Sequence, residues 1–395
     1  MTRPLRLVPA PPGADREILD ALAAALDGSG PPLAPVRPGG QVPDGQGPED
    51  GAAVADGVTL AITTSGSTGS PRTVLLPRSA LVASAAATDA RLGGPAQWLL
   101  ALPVHHVAGL QVLVRSLLAG TDPVLLDQSA RFTAESFAAA TARLDGPRRY
   151  TSLVPTQLHR VLASPTGTEA LATYDAVLVG GAATDPALLL AAREAGAQIV
   201  RTYGMTETSG GCVYDGVPLD GVRVELDREG RIFLAGPVLA TGYLGEPELT
   251  ARTFVERDGV RWLRTDDAGT LSEGGTSADD GALRVLGRLD DMISTGGVKV
   301  APAAVEAALT GLTGIAQASV VGVPDPEWGA AVVAVVVPSP GHAPPSLESV
   351  RAHVAHSLGA PAAPRRVLVI DELPERGPGK TDRRAVQRIA AETPV

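Results

Sequence analysis

The chain reads Thr64-Ser65-Gly66-Ser67-Thr68-Gly69-Ser70-Pro71-Arg72 between two apolar runs, 58–62 and 74–76. Glycine frees the backbone at two of these positions, and the hydroxyl side chains add hydrogen-bond donors. This composition predicts a loop whose N–H and O–H groups can surround phosphate oxygens. The Walker P-loop is excluded, because it ends in Gly-Lys-Ser/Thr where this chain continues Gly-Ser-Pro. Taken alone, the segment fits an ordinary surface loop equally well.

The overall composition indicates a globular protein of about two to three domains. Its 395 residues are 44% hydrophobic and 19% charged, which is enough apolar material for sizeable cores. The net charge of -10 argues against a general binder of nucleic acid or of anionic membranes. The N-terminus does not resemble a signal peptide, and no stretch approaches the ~18 apolar residues that span a bilayer. Cys212 is the single cysteine, which fits a reducing compartment, so we expect a cytoplasmic protein without membrane insertion.

Lysine is confined to Lys299 and Lys380, and arginine supplies every other basic residue apart from histidine. The abundance of Ala, Gly, Pro and Arg reflects a genomic bias. Lysine that persists against this bias suggests that the two positions require an ammonium group. Chance retention is the alternative interpretation.

Strand-like and helix-like segments alternate through the first half of the chain. The predicted strands are 98–102, 151–154, 176–179 and 198–202, and the predicted helices are 15–26, 78–91, 110–118, 132–144 and 186–195. Residues 28–57 show little periodicity and are expected to form an irregular connection. Alternation of this kind predicts an α/β architecture with a largely parallel sheet. Ligands of such sheets bind just past the carboxyl ends of the strands.

The pattern changes after about residue 213, where short apolar runs are separated by Gly and Asp. Such runs predict a small, barrel-like β subdomain. Mixed α and β segments resume beyond residue 288. We therefore predict a large N-terminal domain of layered α/β sheets over 1–289, including the β subdomain. A smaller, mobile α+β domain is predicted over 290–395.

Tyr203-Gly204-Met205-Thr206-Glu207 follows the predicted strand 198–202. Thr206 offers a hydroxyl for a phosphate oxygen, and Glu207 offers a hard oxygen ligand for Mg²⁺. A polar turn is the alternative reading of this segment alone. In order with the glycine-rich segment, however, it resembles the paired motifs of the adenylate-forming superfamily, which includes acyl-CoA synthetases, peptide-synthetase adenylation domains and firefly luciferase.

The resemblance implies that residues 64–69 bind the phosphates of ATP, with Arg72 where the family usually carries lysine. It also implies that Tyr203, Gly204, Met205 and Thr206 contact the nucleotide, with the Thr206 hydroxyl at the α-phosphate. Glu207 would hold the metal. Arginine keeps the positive charge but presents a planar fork.

Further segments extend the resemblance towards the adenine and the ribose. Gly180-Gly181-Ala182 resembles the segment that lies along the adenine plane. Thr265-Asp266-Asp267 resembles the family's Thr-Gly-Asp motif, which implies that Asp266 binds the ribose hydroxyls; Asp267 stays open as the alternative. Arg288 would also reach the ribose, and Asp290 would be the hinge residue.

Two glycine-containing loops of the C-terminal part complete the resemblance. Gly296 and Gly297 would line a narrow passage for the pantetheine of CoA, where a Cβ would obstruct. Lys380 lies in a Gly-Lys-x-x-Arg pattern that resembles the site of the family's catalytic lysine. Its ammonium would stabilise charge on the acid carboxylate and the α-phosphate. Surface loops are the alternative reading of both segments.

Two segments bear on the identity of the acid. His106 belongs to a Leu-Pro-x-x-His pattern that is widespread in the superfamily, which implies a role in acid binding and catalysis. Arg115, nine positions on, and Ser152 could bind a second carboxylate, although Arg115 could also be a solvated helix residue. Both segments resemble the o-succinylbenzoate–CoA ligases of menaquinone biosynthesis, in the short form typical of high-GC actinobacteria.

The expected activity is therefore that of an AMP-forming acid–CoA ligase using ATP, Mg²⁺ and CoA, with o-succinylbenzoate as the acid. One alternative is a CoA ligase or stand-alone adenylating enzyme for another aryl or short acyl acid. A second alternative is a nucleotide-binding protein that has lost catalysis, for which Arg72 is the main support. The expected partners are small molecules and not nucleic acid, and a homodimer stays open.

Overall fold

The computed structural model describes residues 2–11, 13, 15–37, 47–64, 71–272, 281–377 and 380–393, with the side chains of 375–377 and 380 outside that description. Residues 65–70, the centre of the glycine-rich segment, also lie outside it. Across these described ranges, no helix has the length and apolar character that crossing a bilayer requires.

The glycine-rich segment joins two strands of a five-stranded mixed sheet. The strands are β2 (Arg6–Pro9), β3 (Leu33–Val36), β5 (Val58–Thr64), β6 (Arg72–Pro77) and β16 (Gly242–Tyr243), and they pair in the order β16-β6-β5-β3-β2. Helix α1 (Asp15–Asp27) contacts β3 and β5, and a short pair is formed by β1 (Thr2–Pro4) with β4 (Ala53–Ala55). Since β5 and β6 are antiparallel, the segment connects a hairpin and does not lead from a strand into a helix.

A seven-stranded sheet carries several of the other motifs. Its strands are β7 (Gln97–Leu100), β8 (Val124–Leu125), β9 (Arg149–Leu153), β10 (Ala176–Val179), β11 (Ile199–Met205), β12 (Gly210–Tyr214) and β13 (Val217–Pro218). They pair in the order β13-β12-β11-β10-β9-β7-β8. The strands from β8 to β11 are parallel, whereas β12 and β13 are antiparallel to their neighbours. This confirms the predicted parallel α/β layer.

Helices cover both faces of the seven-stranded sheet. They are α2 (Arg78–Leu92), α3 (Val107–Ala119), α4 (Ala134–Thr141), α5 (Pro155–Leu162), α6 (Pro165–Leu171) and α7 (Pro186–Glu194). Trp98 and Leu100 pack into one core with α1, α2 and α3, whereas Leu99 and Val177 pack into a second core with α4, α5 and α7. Because both faces are covered, β10 is apolar throughout, and β9 is buried from Tyr150 to Leu153 although it includes Thr151 and Ser152.

An antiparallel sheet forms the predicted β subdomain. It consists of β14 (Arg223–Leu226), β15 (Arg231–Ala235), β17 (Phe254–Arg257), β18 (Val260–Leu271) and β19 (Leu283–Arg288), with α8 (Pro247–Thr253) preceding β17. Strand β18 is the centre of this sheet, since it pairs with β15, β17 and β19. It carries both candidate ribose-binding aspartates.

The last part of the chain has its own mixed sheet and apolar cores. Its elements are β20 (Ile293–Thr295), β21 (Val298–Val300), α9 (Pro302–Thr310), β22 (Ile315–Asp325), β23 (Gly329–Pro338), α10 (Leu347–Leu358), β24 (Arg366–Val369), β25 (Glu375–Gly377), β26 (Lys380–Thr381) and α11 (Arg383–Glu392). Strands β22, β23 and β24 form one sheet, and the buried residues on its two faces, between 293 and 390, form two separate clusters. The boundary placed at 289/290 precedes these clusters and remains a prediction.

Two expectations about local structure are wrong. Residues 28–57 contain strands β3 and β4 where an irregular connection is expected. Strand β3 has four residues and includes Pro35, so it is too short for a period to be visible, and its pairing with β2 and β5 is what defines it. The helix expected over 132–144 covers only Ala134–Thr141, because Thr133 caps its first turn by accepting a hydrogen bond from the Ser136 N–H at 3.1 Å.

Candidate active site

The base of the β5–β6 hairpin holds the outer residues of the glycine-rich segment. Thr64 and Arg72 are register partners, and the Thr64 hydroxyl donates to the Arg72 carbonyl at 3.3 Å. In the next residue pair away from the loop, the Thr63 and Thr73 hydroxyl oxygens are 3.1 Å apart. The predicted phosphate-binding positions 65–69 lie outside the described residues, so these contacts define where the loop begins and ends.

Glu207 lies close to Arg72 at this hairpin base. The Tyr243 hydroxyl donates to Glu207 Oε1 at 2.8 Å, and the Arg72 guanidinium carbon is 6.0 Å from the centre of the Tyr243 ring. Tyr243 reaches both residues because β16 pairs with β6. Burial raises the pKa of Glu207, and hydrogen bonds from the backbone and Tyr243, together with the Arg72 charge, oppose that shift. Arg72 of the hairpin and Tyr243 of the adjacent strand β16 thus supply a cation and a hydroxyl group near one partly buried carboxyl group.

A buried hydrogen-bond network fixes the turn that carries Glu207. This 3-10 turn, Thr206–Thr208, follows β11 and leads to Ser209, whose φ of 55° lies in the left-handed region. The Ser209 carbonyl accepts hydrogen bonds from Gln111 Nε2 at 2.6 Å and from Ser84 Oγ at 3.2 Å. Since Gln111 is on α3 and Ser84 is on α2, two helices hold the turn in place. The N–H at the end of β11, from Met205, donates to the Thr208 hydroxyl at 2.9 Å.

The adjacent aspartates on β18 have different partners. Asp267 Oδ2 accepts a hydrogen bond from the Tyr203 hydroxyl at 2.8 Å, which places this carboxyl group against β11. Asp266 instead pairs with Arg231 at 3.2 Å and with Arg288 at 3.3 Å. Successive side chains of a strand point to opposite faces, so only one of the two can face β11. Burial raises the pKa of Asp267, while the Tyr203 hydrogen bond and the Arg288 charge act in the opposite direction.

Arg288 also forms a bidentate pair with Asp290. Its Nε and Nη2 donate to the two carboxylate oxygens of Asp290 at 2.7 and 3.0 Å. Burial acts to raise the pKa of Asp290, but the Arg288 hydrogen bonds and charge outweigh it and lower the pKa. The Leu289 N–H donates to the Asp266 carbonyl at 2.7 Å. The predicted ribose-binding arginine and the predicted hinge residue are therefore held together beside Asp266.

Two glycines shape the connection after β10. A Cβ on Gly180 would collide with the side chain and the carbonyl of Thr202 on β11. Gly181 has a φ of 82°, which favours glycine, and Ala182 follows as an exposed residue. Gly204 is similarly confined, because a Cβ there would collide with the Gly210 carbonyl. The backbone at Gly180 therefore approaches β11 at Thr202, the residue before Tyr203.

His106 lies at the amino end of α3. It is the N-cap residue of this helix, and its ring centre is 4.4 Å from that of His105. The first turn of α3 packs near Gly210, where a Cβ would be 3.5 Å from Gln111 Cγ and 4.0 Å from Val107 Cγ2. The helix end that carries His106 is therefore close to the turn of Thr206 and Glu207. Ser152 lies on β9 and is 7% exposed.

Arg115 lies further along α3, in the apolar core. Nine residues separate it from His106, which corresponds to about 13 Å along a helix axis. Its guanidinium donates to Thr88 Oγ1 at 3.2 Å and to the Tyr214 hydroxyl at 3.5 Å, and its guanidinium carbon is 5.1 Å from the centre of the Trp98 ring.

These contacts place Arg115 towards the amino ends of the parallel strands. Trp98 is the second residue of β7. Tyr214 is the last residue of β12, which runs antiparallel to β11, so it lies at the end of β12 away from the Thr206 turn. The structure does not bring Arg115 to His106, in contrast to the expectation of a shared acid pocket. The alternative, a solvated helix residue, is also wrong, because Arg115 is only 3% exposed.

Gly296 and Gly297 form the two-residue turn between β20 and β21. Their φ values of 56° and 80° are those of a type I′ hairpin turn, for which glycine is well suited. A Cβ on Gly296 would also lie 2.8 Å from Trp328 Cε3. Turn geometry and the packing of Trp328 thus account for this glycine pair. Lys380 begins β26, and its side chain lies outside the described part of the chain.

The sequence patterns did not predict a role for three residues of this region. Tyr243 contacts Glu207, Arg231 contacts Asp266, and Gln111 holds the turn through Ser209. Gln111 does carry a signal, because it is the one polar residue in the otherwise apolar run 107–114 of α3. Tyr243 and Arg231 reach their partners through strand pairing of segments distant in sequence, which no local pattern reveals.

Glu207 suits a magnesium ion as a single protein ligand. No group of three or more His, Cys, Asp or Glu side chains among the described residues could hold a metal ion. Mg²⁺, however, commonly takes one or two carboxylates and completes its coordination with water and substrate phosphates. The Tyr243 hydrogen bond leaves acceptor capacity on the Glu207 carboxyl group. The residues present therefore fit a metal that arrives with a nucleotide.

Comparison with protein families covers both parts of the chain. Residues 20–244 match the family described as AMP-binding enzyme. Residues 304–380 match the AMP-binding enzyme C-terminal domain. The first match spans more than half of the chain and includes the glycine-rich segment and the Tyr-Gly-x-Thr-Glu motif.

Individual relatives agree with the family match. The probable 2-succinylbenzoate–CoA ligase of Mycobacterium tuberculosis is 50% identical over 343 residues, which cover 87% of each chain. The 2-succinylbenzoate–CoA ligase of Geobacillus kaustophilus is 32% identical and covers 85% of this chain and 70% of that relative. The o-succinylbenzoate CoA synthetase of Bacillus subtilis, solved with its acyl-adenylate intermediate, has the same fold, with a TM-score of 0.75 at 24% identity over 97% of this chain and 88% of that one. From the matched residues and these relatives, the chain belongs to the AMP-binding enzyme family.

Proposed function

We propose that this chain is an AMP-forming acid–CoA ligase that converts o-succinylbenzoate to o-succinylbenzoyl-CoA, a step of menaquinone biosynthesis. The observation that carries the proposal is the 50% identity, over 87% of both chains, to the probable 2-succinylbenzoate–CoA ligase of M. tuberculosis. In the first half-reaction the acid carboxylate attacks the α-phosphorus of ATP and pyrophosphate leaves. In the second, the CoA thiolate attacks the acyl carbon and AMP leaves.

We assign the nucleoside to the region between β10, β11 and β18. Gly180, Gly181 and Ala182 border the adenine, where small residues let a flat ring approach the backbone. The contacts favour Asp267 over Asp266 as the ribose ligand, because Asp267 faces the Tyr203 hydroxyl on β11. Asp266 already pairs with Arg231 and Arg288, which makes it a support for this region.

The phosphates are assigned to the space between the hairpin and the Thr206 turn. Backbone N–H groups of residues 65–69 and the Arg72 charge would bind the β- and γ-phosphates, and the Thr206 hydroxyl would bind the α-phosphate. Glu207 would hold Mg²⁺, which neutralises phosphate charge. Support for this arrangement comes from the Glu207–Tyr243 contact, which places the carboxyl group at the base of the hairpin.

Lys380 is assigned as the catalytic residue of adenylation. Its ammonium would stabilise the charge that develops between the acid carboxylate and the α-phosphate. Delivery of this group requires the C-terminal part of the chain to face the nucleotide, and rotation at Asp290 would then withdraw it for the CoA step. Gly296 and Gly297 would line the path of the CoA pantetheine after that rotation.

The acid is assigned to the region of His106 and Ser152. His106 lies at the amino end of α3, close to the turn that carries Thr206, which suits a carboxylate awaiting adenylation. The Ser152 hydroxyl is a candidate partner for the second carboxylate of o-succinylbenzoate. Arg115 is left out of this site because its donors face Thr88 and Tyr214.

Pyrophosphate release over a panel of acids, with and without CoA, tests the proposal. We expect o-succinylbenzoate to give the highest kcat/KM and the thioester to form only with CoA. Preference for benzoate or a short acyl acid would support another acid–CoA ligase, and a product independent of CoA would support a stand-alone adenylating enzyme. Absence of pyrophosphate release with every acid would leave a nucleotide-binding protein without catalysis.

Two cellular expectations accompany the proposed function. The substrates are small soluble molecules, so we infer a cytoplasmic enzyme that acts without nucleic acid. A homodimer is the working hypothesis for the oligomeric state, which light scattering of the purified chain decides.

A further inference from the structure

The two aspartates at the predicted hinge are bound from opposite sides. Asp290 is held by Arg288, which ends β19 before the hinge. Asp291, the next residue, pairs with Arg383 of α11, with 3.5 Å between Asp291 Oδ2 and Arg383 Nε. One peptide unit thus separates a carboxylate fixed to the preceding β sheet from a carboxylate fixed to the last helix.

Arg383 also contacts two other elements of the C-terminal part of the chain. Its Nη2 pairs with Glu306 Oε2 on α9 at 2.7 Å, and its Nη1 donates to the Val320 carbonyl on β22 at 3.0 Å. Glu306 Oε1 in turn accepts a hydrogen bond from the Val320 N–H at 2.7 Å. With Asp291 on Nε, all three guanidinium nitrogens are engaged, so Arg383 joins the hinge segment, α9 and β22.

A short and well-anchored segment connects Arg383 to Lys380. Asp382 caps α11, since its Oδ1 accepts hydrogen bonds from the N–H groups of Arg384 at 3.1 Å and Ala385 at 3.2 Å. The Asp382 N–H donates to the Pro374 carbonyl at 2.7 Å. Three residues span at most about 10 Å, so a displacement of Arg383 is carried over to the start of β26.

The Arg383–Asp291 pair lies at a cleft between the hinge segment and α11. This cleft of about 500 Å³ is lined by residues 290–294 on the hinge side and by Arg383, Arg384 and Gln387 on the helix side. One turn along α11, Gln387 Nε2 donates to the Gly322 carbonyl at 3.1 Å. Gln387 therefore ties the same helix to the sheet through a contact that does not involve Asp291.

We propose that Arg383 is a positioning residue for adenylation, which fixes the Lys380 strand relative to the hinge by bridging Asp291 to Glu306. The inference rests on the proposed function, since it assumes that Lys380 acts in that half-reaction. The Arg383–Asp291 ion pair connects the hinge segment to the residues next to β26 through space, independently of the chain between residues 291 and 380. A neutral side chain at 291 removes the hinge contact and leaves the contacts of Arg383 with Glu306 and Val320 in place.

The test compares Asp291→Asn with Gln387→Ala and with Arg388→Gln, a change of an exposed residue on the same helix. Asp291→Asn should lower kcat of adenylation by about tenfold or more, because misplacement of a reacting group by 1 Å can cost 10²-fold. KM for ATP and for the acid should change less than about twofold, as should thioester formation from synthetic acyl-adenylate. Gln387→Ala and Arg388→Gln should leave the adenylation kcat near wild type.

Amide hydrogen exchange over residues 380–385 provides a readout that does not depend on turnover. Asp291→Asn should accelerate exchange there, whereas Arg388→Gln should not. If the wild type turns over and Asp291→Asn changes neither exchange nor kcat, the inference is overturned. An equal loss of kcat in Gln387→Ala also overturns it. If the wild type turns over no acid but Asp291→Asn still accelerates exchange, the proposed function fails, whereas the positioning of residues 380–385 by the Arg383–Asp291 pair is supported.

Discussion

The two ends of the seven-stranded sheet both bury polar and charged groups, but they do so in different ways. At the carboxyl end of β11, Tyr203 and Glu207 contact Asp267 and Tyr243, and both carboxyl groups remain partly exposed. Towards the amino end, Arg115 contacts Thr88 and Tyr214, which are 0% and 1% exposed.

The difference teaches that a buried charge alone does not identify a binding site. The groups at the carboxyl end keep acceptor capacity and lie where ligands of open α/β sheets bind. The guanidinium at the other end donates to two enclosed hydroxyls and lies over an indole ring, so its contacts are those of a polar group within a core. The assignment of function to one end and of stability to the other is open to direct test.

The largest expected effect concerns the residue that would act at the carboxyl end. Lys380→Ala should lower the rate of adenylation by roughly a hundredfold or more, the loss typical for one preorganised donor. Thioester formation from synthetic acyl-adenylate should stay near wild type. Pyrophosphate release and thioester formation, measured separately, check this outcome.

Lys299→Ala is the matched control for that change, because it removes the other lysine from an exposed position on β21. Its adenylation rate should remain within about twofold of wild type. Equal slowing of both half-reactions by Lys380→Ala would contradict a specific catalytic role and indicate a general defect.

A smaller effect should separate the adjacent aspartates. Asp267→Asn removes the charge that we assign to the ribose hydroxyls, so kcat/KM for ATP should fall by roughly ten- to a hundredfold, the equivalent of about 1.5–3 kcal/mol for hydrogen bonds to a charged group. Asp266→Asn removes half-exposed ion pairs, which are worth about 0–1 kcal/mol, and should change kcat/KM by a few-fold at most. Steady-state kinetics with varied ATP decide between them, and the reverse ranking would restore Asp266 as the ribose ligand.

The smallest effect on activity is expected at the amino end. Arg115→Met leaves the Thr88 and Tyr214 hydroxyls without this donor, so the free energy of unfolding should fall by about 1–3 kcal/mol. The ratio of kcat/KM for o-succinylbenzoate to that for benzoate should stay within about twofold. Urea unfolding and the acid panel measure these two quantities, with the exposed Arg388→Met as the control. A selective loss of o-succinylbenzoate use would return Arg115 to the acid site.

The sequence was sufficient to predict the layered α/β fold and the elements that carry the motifs. Strands such as β10 read as continuous apolar runs, and the glycine-rich segment and Gly180-Gly181-Ala182 directly follow β5 and β10. Tyr203 and the two aspartates instead lie within β11 and β18. The sequence was also sufficient for the family, because several motifs occur in a fixed order. It did not reveal β3, which is four residues long and defined by pairing with β2 and β5.

Side-chain direction accounts for most of what the sequence left open within the site. Asp266 and Asp267 are equivalent by motif, and only the register of β18 shows that Asp267 faces Tyr203. Arg115 is in a suitable segment for an acid pocket, but a spacing of nine along a helix carries it about 13 Å from His106. Contacts such as Tyr243 with Glu207 depend on the pairing of β16 with β6, which joins segments far apart in sequence.

The restriction of lysine to β21 and β26 has a consequence for chemical labelling. Every side-chain amine of the protein follows Asp290, at Lys299 or Lys380. An amine-reactive fluorophore would therefore mark the part of the chain after the hinge and, apart from the N-terminal amine, nothing before it. With Lys299 replaced by arginine, Lys380 would be the one labelled side chain, and its protection by ATP and acid would measure occupancy of the site without any assay of turnover.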